Sequence, residues 1–92
     1  MKLIDIFNGN FEKINEKTIE YKESRINRPR YKRALADKEI TKSMIQKIEV
    51  MLEMSPSTKE KEILEDNIKN YKYLLFIIDL YIVKCELFFL RK

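Results

Sequence analysis

The residues of this chain that are best suited to chemistry stand together between positions 25 and 33, where the sequence reads Arg-Ile-Asn-Arg-Pro-Arg-Tyr-Lys-Arg. From Lys22 to Arg33 there are six basic residues and one acid, a local charge of +5. Arginine presents a planar fork of N–H donors to phosphate or carboxylate groups, and an aromatic ring can stack on a base or anchor a contact. We predict a partner-binding surface made of Arg25, Arg28, Arg30, Tyr31, Lys32 and Arg33.

Three interpretations of this basic cluster are open. Its cations can simply be solvated at a corner between helices, or pair with the acids that precede them at Glu12, Glu16, Glu20 and Glu23. They can also bind the acidic surface of another protein, which we prefer as the functional reading, or the phosphates of a nucleic acid. The spacing matches no helix-turn-helix or RNA-binding motif, and the net charge of +4 is modest.

Catalytic and metal-binding chemistry finds little support in the sequence. The chain has no His and one Cys, which removes His-based metal sites and Ser–His or Cys–His nucleophile pairs. Asp79 and Glu86 are seven residues apart, about 10 Å along a helix, which is too far for two carboxylates to share a proton. There is no glycine-rich phosphate loop. We therefore expect a protein that is not an enzyme, with no catalytic residue, cofactor or metal site.

Helices must position the basic cluster, because one Gly and two Pro are too few for a turn-rich β fold. Breaks are expected at Asn8-Gly9-Asn10, at Pro29 and at Ser55-Pro56-Ser57, where Ser57 and Glu60 have capping-box spacing. The helices predicted between them cover about residues 10–28, 30–54 and 58–91, and a short apolar segment, Leu3–Phe7, precedes them.

The third predicted helix has the clearest apolar periodicity. Steps of four and three residues connect Leu64, Ile68, Tyr71, Leu75, Ile78, Ile82, Cys85 and Phe89. This spacing is typical of a helix that packs along another helix as in a coiled coil. The short Ser-Pro-Ser connection favours an antiparallel hairpin of the second and third helices. We predict an all-α fold, a small antiparallel bundle in which the first helix packs on this hairpin; the alternative is a two-helix hairpin with a long first arm kinked at Pro29.

The third helix is apolar nearly all round, so it needs more cover than two helices provide. We predict self-association as a homodimer through this helix, and we assign the contact to Leu75, Ile78, Ile82, Cys85 and Phe89. Membrane association is the weaker alternative, because Asp79, Lys84 and Glu86 would each cost about 2.5–3.5 kcal/mol at the centre of a membrane helix.

The 92 residues form one predicted domain, 1–92, and the single Cys85 indicates a reducing compartment, so we expect a cytoplasmic protein. The many Lys, Ile, Glu and Asn residues suggest an A+T-rich source such as a phage or plasmid of a low-GC bacterium. Together these features predict a non-catalytic adaptor, inhibitor or accessory factor. It would bind another macromolecule, a protein before a nucleic acid, through the basic cluster and an apolar helix face.

Overall fold

Three helices make up the described part of the chain, which in the computed structural model comprises residues 11–90. They are α1 (Phe11–Glu23), α2 (Arg28–Glu53) and α3 (Thr58–Leu90). The all-α bundle predicted from the sequence is confirmed, with α1 as a separate helix packed on α3. Leu3–Phe7, the Asn8-Gly9-Asn10 turn and the two ends of the predicted helical region, residues 10 and 91, lie outside the described residues.

The three helices run up, down and up along one bundle. Lys38 of α2 pairs with Asp79, and Tyr31 contacts Glu86, so α2 is antiparallel to α3. At the other interface Ile14 lines the same cavity as Leu74, whereas Tyr21 packs on Tyr81, so α1 runs alongside α3 in the same direction.

The boundary between α1 and α2 differs from the prediction. Helix α1 ends at Glu23, five residues early, and α2 begins at Arg28, two residues early. Asn27 is the N-cap of α2, with extended backbone angles (φ −153°, ψ 156°), and its side chain accepts a hydrogen bond of 2.8 Å from the backbone N–H of Arg30. Proline is favoured in the first turn of a helix, so Pro29 lies inside α2 and the break precedes it.

The hairpin connection between α2 and α3 has a cap on each side of Pro56. Ser55 adopts a left-handed conformation (φ 56°) just after the last turn of α2. Ser57 accepts a hydrogen bond of 3.3 Å from the backbone N–H of Glu60, and its hydroxyl donates to the Glu60 carboxylate at 3.0 Å. The predicted pairing of Ser57 with Glu60 is therefore present, although the carboxylate accepts from the hydroxyl and not from the backbone N–H of Ser57.

The core lies along the inner side of α3. Each residue of the apolar repeat predicted for the third helix, from Leu64 to Phe89, is either buried or packed against the buried cluster. This includes the five residues assigned to self-association: Ile78 and Cys85 are 0% exposed, Ile82 is buried, and Leu75 and Phe89 are partly buried against the core. The assignment of Ile78, Ile82 and Cys85 to self-association is therefore corrected, because they are buried in the chain's own bundle, whereas Leu75 and Phe89 keep part of their surface. Within residues 11–90, no helix carries a stretch both long and apolar enough to cross a membrane.

Candidate functional site

The predicted binding residues lie where α1, α2 and the C-terminal half of α3 meet. We call the set Arg25, Arg28, Arg30, Tyr31, Lys32 and Arg33 the basic corner. Arg25 is in the connection between α1 and α2, and the other five residues lie in the first two turns of α2. The hydroxyl of Tyr81 donates a hydrogen bond of 2.8 Å to the backbone carbonyl of Arg25. This bond fixes the connection against α3, so the basic corner is held by three helices.

Two members of the basic corner have partners within the bundle. The guanidinium of Arg30 hydrogen-bonds and ion-pairs with the carboxylate of Glu20 in α1. The hydroxyl of Tyr31 donates to the carboxylate of Glu86 at 3.0 Å, and its ring meets that of Phe89 edge-on at 5.6 Å between centroids. The hydrogen bond to Glu86 is the main reason that the pKa of Tyr31 is raised. Arg30 and Tyr31 therefore connect α2 to its neighbours, which restricts Tyr31 as a contact for a partner.

Arg28 contacts a side chain of the bundle and is still exposed to solvent. Its guanidinium carbon lies 4.8 Å from the centroid of the Phe89 ring, a cation–π contact at the C-terminal end of α3. Its side chain remains exposed. A charged group presented on an aromatic ring in this way loses little freedom when it binds an acidic group, because its position is already restricted.

The remaining three cations, Arg25, Lys32 and Arg33, are exposed. None of them takes part in the ion pairs found among residues 11–90. Of the acids expected above to pair with the basic cluster, Glu20 forms an ion pair with Arg30. The basic corner thus combines cations with structural partners and cations that face solvent, and the second group is available for an external anionic group.

A shallow recess of about 180 Å³ lies at the N-terminus of α2, lined by Asn27, Pro29, Arg30 and Arg33. Arg30 on its wall is already paired with Glu20, so Arg33 is the cation there that can bind a single carboxylate or phosphate group through two parallel N–H donors. The backbone N–H of Arg30 is occupied by the Asn27 side chain, so the Arg33 side chain would supply the contact.

A buried polar cluster, missed in the sequence analysis, lies beside the basic corner. Asp37 of α2 is 7% exposed, and it accepts hydrogen bonds from the hydroxyl of Tyr21 at 2.5 Å and from the ammonium of Lys17 at 3.2 Å. Burial and the hydrogen bond to Asp37 raise the pKa of Tyr21, so its hydroxyl stays protonated. The sequence holds one signal for this cluster, since steps of three and four residues place Asp37 on the same face of α2 as its buried residues: Ala34, Thr41, Ile45 and Ile48.

The Asp37 cluster borders a cavity of about 210 Å³ between the helices, with Ile14, Ile40, Met44 and Leu74 among its lining residues. Both oxygens of Asp37 are already engaged, and Tyr21 keeps its proton, so the cluster holds α1 against α2. Among residues 11–90 no group of three or more His, Cys, Asp or Glu side chains is arranged to hold a metal ion. No protein-family model, curated protein or solved structure matches the chain.

Proposed function

We propose that this protein is a non-catalytic binding protein that docks on the acidic surface of another protein through its basic corner. The observation that carries the proposal is the exposure of Arg25, Lys32 and Arg33 on a corner that three helices hold in place. Charged groups on a fixed frame speed encounter with a surface of opposite sign, and they lose little conformational entropy on binding.

The composition of the surface beside the basic corner favours a protein over a nucleic acid. A recess of about 230 Å³ lies next to it, and its lining includes the half-buried Ile26 and the exposed ring of Phe88. Arginine together with aromatic and aliphatic side chains is typical of the centre of a protein–protein interface. Within the basic corner, Tyr31 is the aromatic residue that could stack on a base, and its ring is packed against Phe89.

We further propose a cytoplasmic location, supported by the single, buried and unpaired Cys85. The composition is in keeping with an accessory protein of a phage or plasmid. Such a protein would act as an adaptor or inhibitor by covering an acidic surface of a larger protein.

The test compares two variants that each reverse three exposed cations. Arg25→Glu/Lys32→Glu/Arg33→Glu changes the basic corner, whereas Lys42→Glu/Lys47→Glu/Lys59→Glu makes the same charge change elsewhere. Arg28 and Arg30 stay unchanged, because they contact Phe89 and Glu20 and their loss would disturb the fold. Each protein is used to capture partners from nuclease-treated extract of the source cells, and the affinity of the captured protein is then measured in purified form.

We expect the wild type and the control variant to bind the same acidic protein with equal affinity, and the corner variant to bind it at least about tenfold more weakly. Equal affinity of all three proteins would contradict the proposal. So would oligonucleotide binding, followed by fluorescence anisotropy, that survives physiological salt and disappears only in the corner variant. That result would instead identify a nucleic-acid-binding protein.

A further inference from the structure

Helix α3 exposes a second apolar face on the side opposite the core. It consists of side chains that are 46–82% exposed: Tyr73, Phe76, Leu80, Val83, Leu87 and Leu90. We call this set the outer seam. Its members follow one another in steps of three and four residues, as do the a and d positions of a coiled coil. The outer seam therefore repeats, on the solvent side of α3, the pattern by which the inner side packs on α2.

The outer seam is large enough for a specific contact. Six side chains of roughly 150–200 Å² each, about half exposed, leave on the order of 500 Å² of apolar surface along α3. A monomer of this size rarely exposes more than a few hundred Å², and a standard interface buries about 800 Å² on each partner. The seam with its flanking residues approaches that size. Within residues 11–90, helices α1 and α2 cover two sides of α3 and leave the third side to the outer seam.

We infer that a second copy of this chain packs on the outer seam, with the two α3 helices parallel and in register. The charges on either side of the outer seam favour the parallel orientation. In a parallel coiled coil, the residue just before an a position pairs with the residue five positions later on the other helix. Asp79 and Lys84 have this relationship around Leu80, so twofold symmetry forms two Asp79–Lys84 pairs between the copies. Glu86 and Arg91 repeat the same two signs in the sequence.

The opposite orientation lacks this complementarity. In an antiparallel pair each flank of the seam faces the same flank of the other copy. Asp79 and Glu86 of one copy would then face the flank that holds Asp79 and Glu86 of the other copy, and these carboxylates repel. Lys84 would face the flank that holds Lys84 of the other copy. Asp79 can take part in the parallel pairing although it contacts Lys38 at 2.9 Å, because its side chain is 44% exposed.

The parallel arrangement has a consequence for the rest of the molecule. The basic corner contacts Glu86 and Phe89 near the C-terminal end of α3. Two parallel α3 helices therefore place both basic corners at the same end of the dimer. Lys84 and Leu87 also line the recess beside the basic corner, so a second copy would cover part of that recess. The inference does not depend on the proposed function, because it is argued from the outer seam and its flanking charges and not from the cations of the basic corner.

The first test measures mass in solution by light scattering and analytical ultracentrifugation of the full chain. We expect twice the chain mass of 11.2 kDa for the wild type. Leu80→Glu places a charge in the middle of the seam on both copies, and it should raise the dissociation constant about a hundredfold or more. The matched control is Val50→Glu, which makes the same kind of change at an exposed position of α2. It should stay dimeric, and far-ultraviolet circular dichroism checks that both variants remain helical.

The flanking charges and the orientation have separate tests. Lys84→Glu should raise the dissociation constant about three- to tenfold, whereas Lys47→Glu on α2 should not change it. For the orientation, Leu87→Cys in a Cys85→Ser background should form a disulfide between copies on mild oxidation. A parallel pair brings position 87 next to itself, and an antiparallel pair places it opposite position 76.

Several outcomes would overturn the inference. One is a wild type that is monomeric at every concentration, and another is a Leu80→Glu variant that is still dimeric. A third is a disulfide between a Phe76→Cys chain and a Leu87→Cys chain, with none between two Leu87→Cys chains. A monomer that binds phosphatidylglycerol vesicles, and loses this binding in Leu80→Glu, would identify the seam as a membrane-surface contact. A monomer that dimerises only after Leu3 and Phe7 are changed to Ser would show that the chain's own N-terminal segment covers the seam.

Discussion

The hydroxyl of Tyr21 in α1 donates a hydrogen bond of 2.5 Å to the carboxylate of Asp37 in α2. The ring of the same tyrosine packs against that of Tyr81 in α3, with 5.5 Å between centroids and a tilt of 58°. One side chain therefore contacts both of the other helices. Since α1 has only 13 residues, it has little intrinsic stability as a helix, and contacts of this kind hold it in the bundle.

We expect Tyr21→Phe to lower the free energy of unfolding by about 1.5–3 kcal/mol, the range for a hydrogen bond to a charged group. The loss arises because the buried Asp37 carboxylate keeps Lys17 as a partner but loses the hydroxyl. Urea unfolding followed by circular dichroism measures the change. Tyr73→Phe is the control, because it keeps the half-exposed ring and its contact with Lys22 and removes only the hydroxyl, so it should change stability by less than about 0.5 kcal/mol. Equal effects of the two substitutions would mean that the Tyr21–Asp37 bond is not stabilising.

Stability should fall as the pH rises above 10. Burial and the bond to Asp37 raise the pKa of Tyr21 above its ordinary value of 10.0, so the folded chain holds this proton more tightly than the unfolded chain does. The stabilisation is complete below pH 10 and is lost progressively above it. The pKa values of Tyr81, raised mainly by burial, and of Lys38, raised by its contact with Asp79, act in the same direction.

The measurement for this pH effect is the free energy of unfolding of the wild type and of Tyr21→Phe between pH 8 and pH 11. The variant lacks the phenolic group, so its stability should decline less steeply above pH 10 than that of the wild type. Parallel curves for the two proteins would mean that Tyr21 does not cause the alkaline loss.

The fold was largely predictable because the sequence patterns that indicate it extend over many residues. The seam from Leu64 to Phe89 repeats for almost four heptads, and packing along a helix imposes this period directly on the sequence. The end of α1 depends instead on single local contacts. Ser24 donates its hydroxyl to the backbone carbonyl of Glu20, and Asn27 caps the next helix, so two short polar side chains set a boundary that Pro29 alone does not reveal.

The candidate site was predictable only as a set of residues. Sequence order placed the basic residues together, but their pairing depends on helices distant in the chain. Tyr31 is held against the bundle by Glu86, which lies 55 positions later in the chain. Arg28 is held by its contact with the ring of Phe89. The same holds for α3, whose two apolar faces have the same spacing. Periodicity alone does not say which of two equivalent stripes meets the chain's own α2.

Replacing Asn67 with Leu should stabilise the protein. Asn67 of α3 is 3% exposed; its side-chain N–H donates to the carbonyl of Ile63 at 2.8 Å, whereas its Oδ1 has no hydrogen-bond partner among the described residues. A buried acceptor without a partner costs about 1–3 kcal/mol, and Leu has a similar size and shape. We therefore expect a gain of about 1 kcal/mol or more in urea unfolding. Asn70→Leu is the control at a site with more solvent contact, and it should change stability by less than about 0.5 kcal/mol. A loss of stability in Asn67→Leu would indicate that Oδ1 has a partner in the folded protein.

The two serines on either side of Pro56 should respond to substitution in opposite directions. Ser55 has a φ of 56°, a conformation that costs a residue with a Cβ atom about 1 kcal/mol and costs glycine almost nothing. Ser55→Gly should therefore raise the melting temperature, although the greater freedom of glycine in the unfolded chain offsets part of the gain. Ser57→Ala should lower stability by about 0.5–2 kcal/mol, because it removes the acceptor for the backbone N–H of Glu60. Thermal unfolding of both variants by circular dichroism measures the two signs, and a stabilising Ser57→Ala would show that this cap contributes nothing to the start of α3.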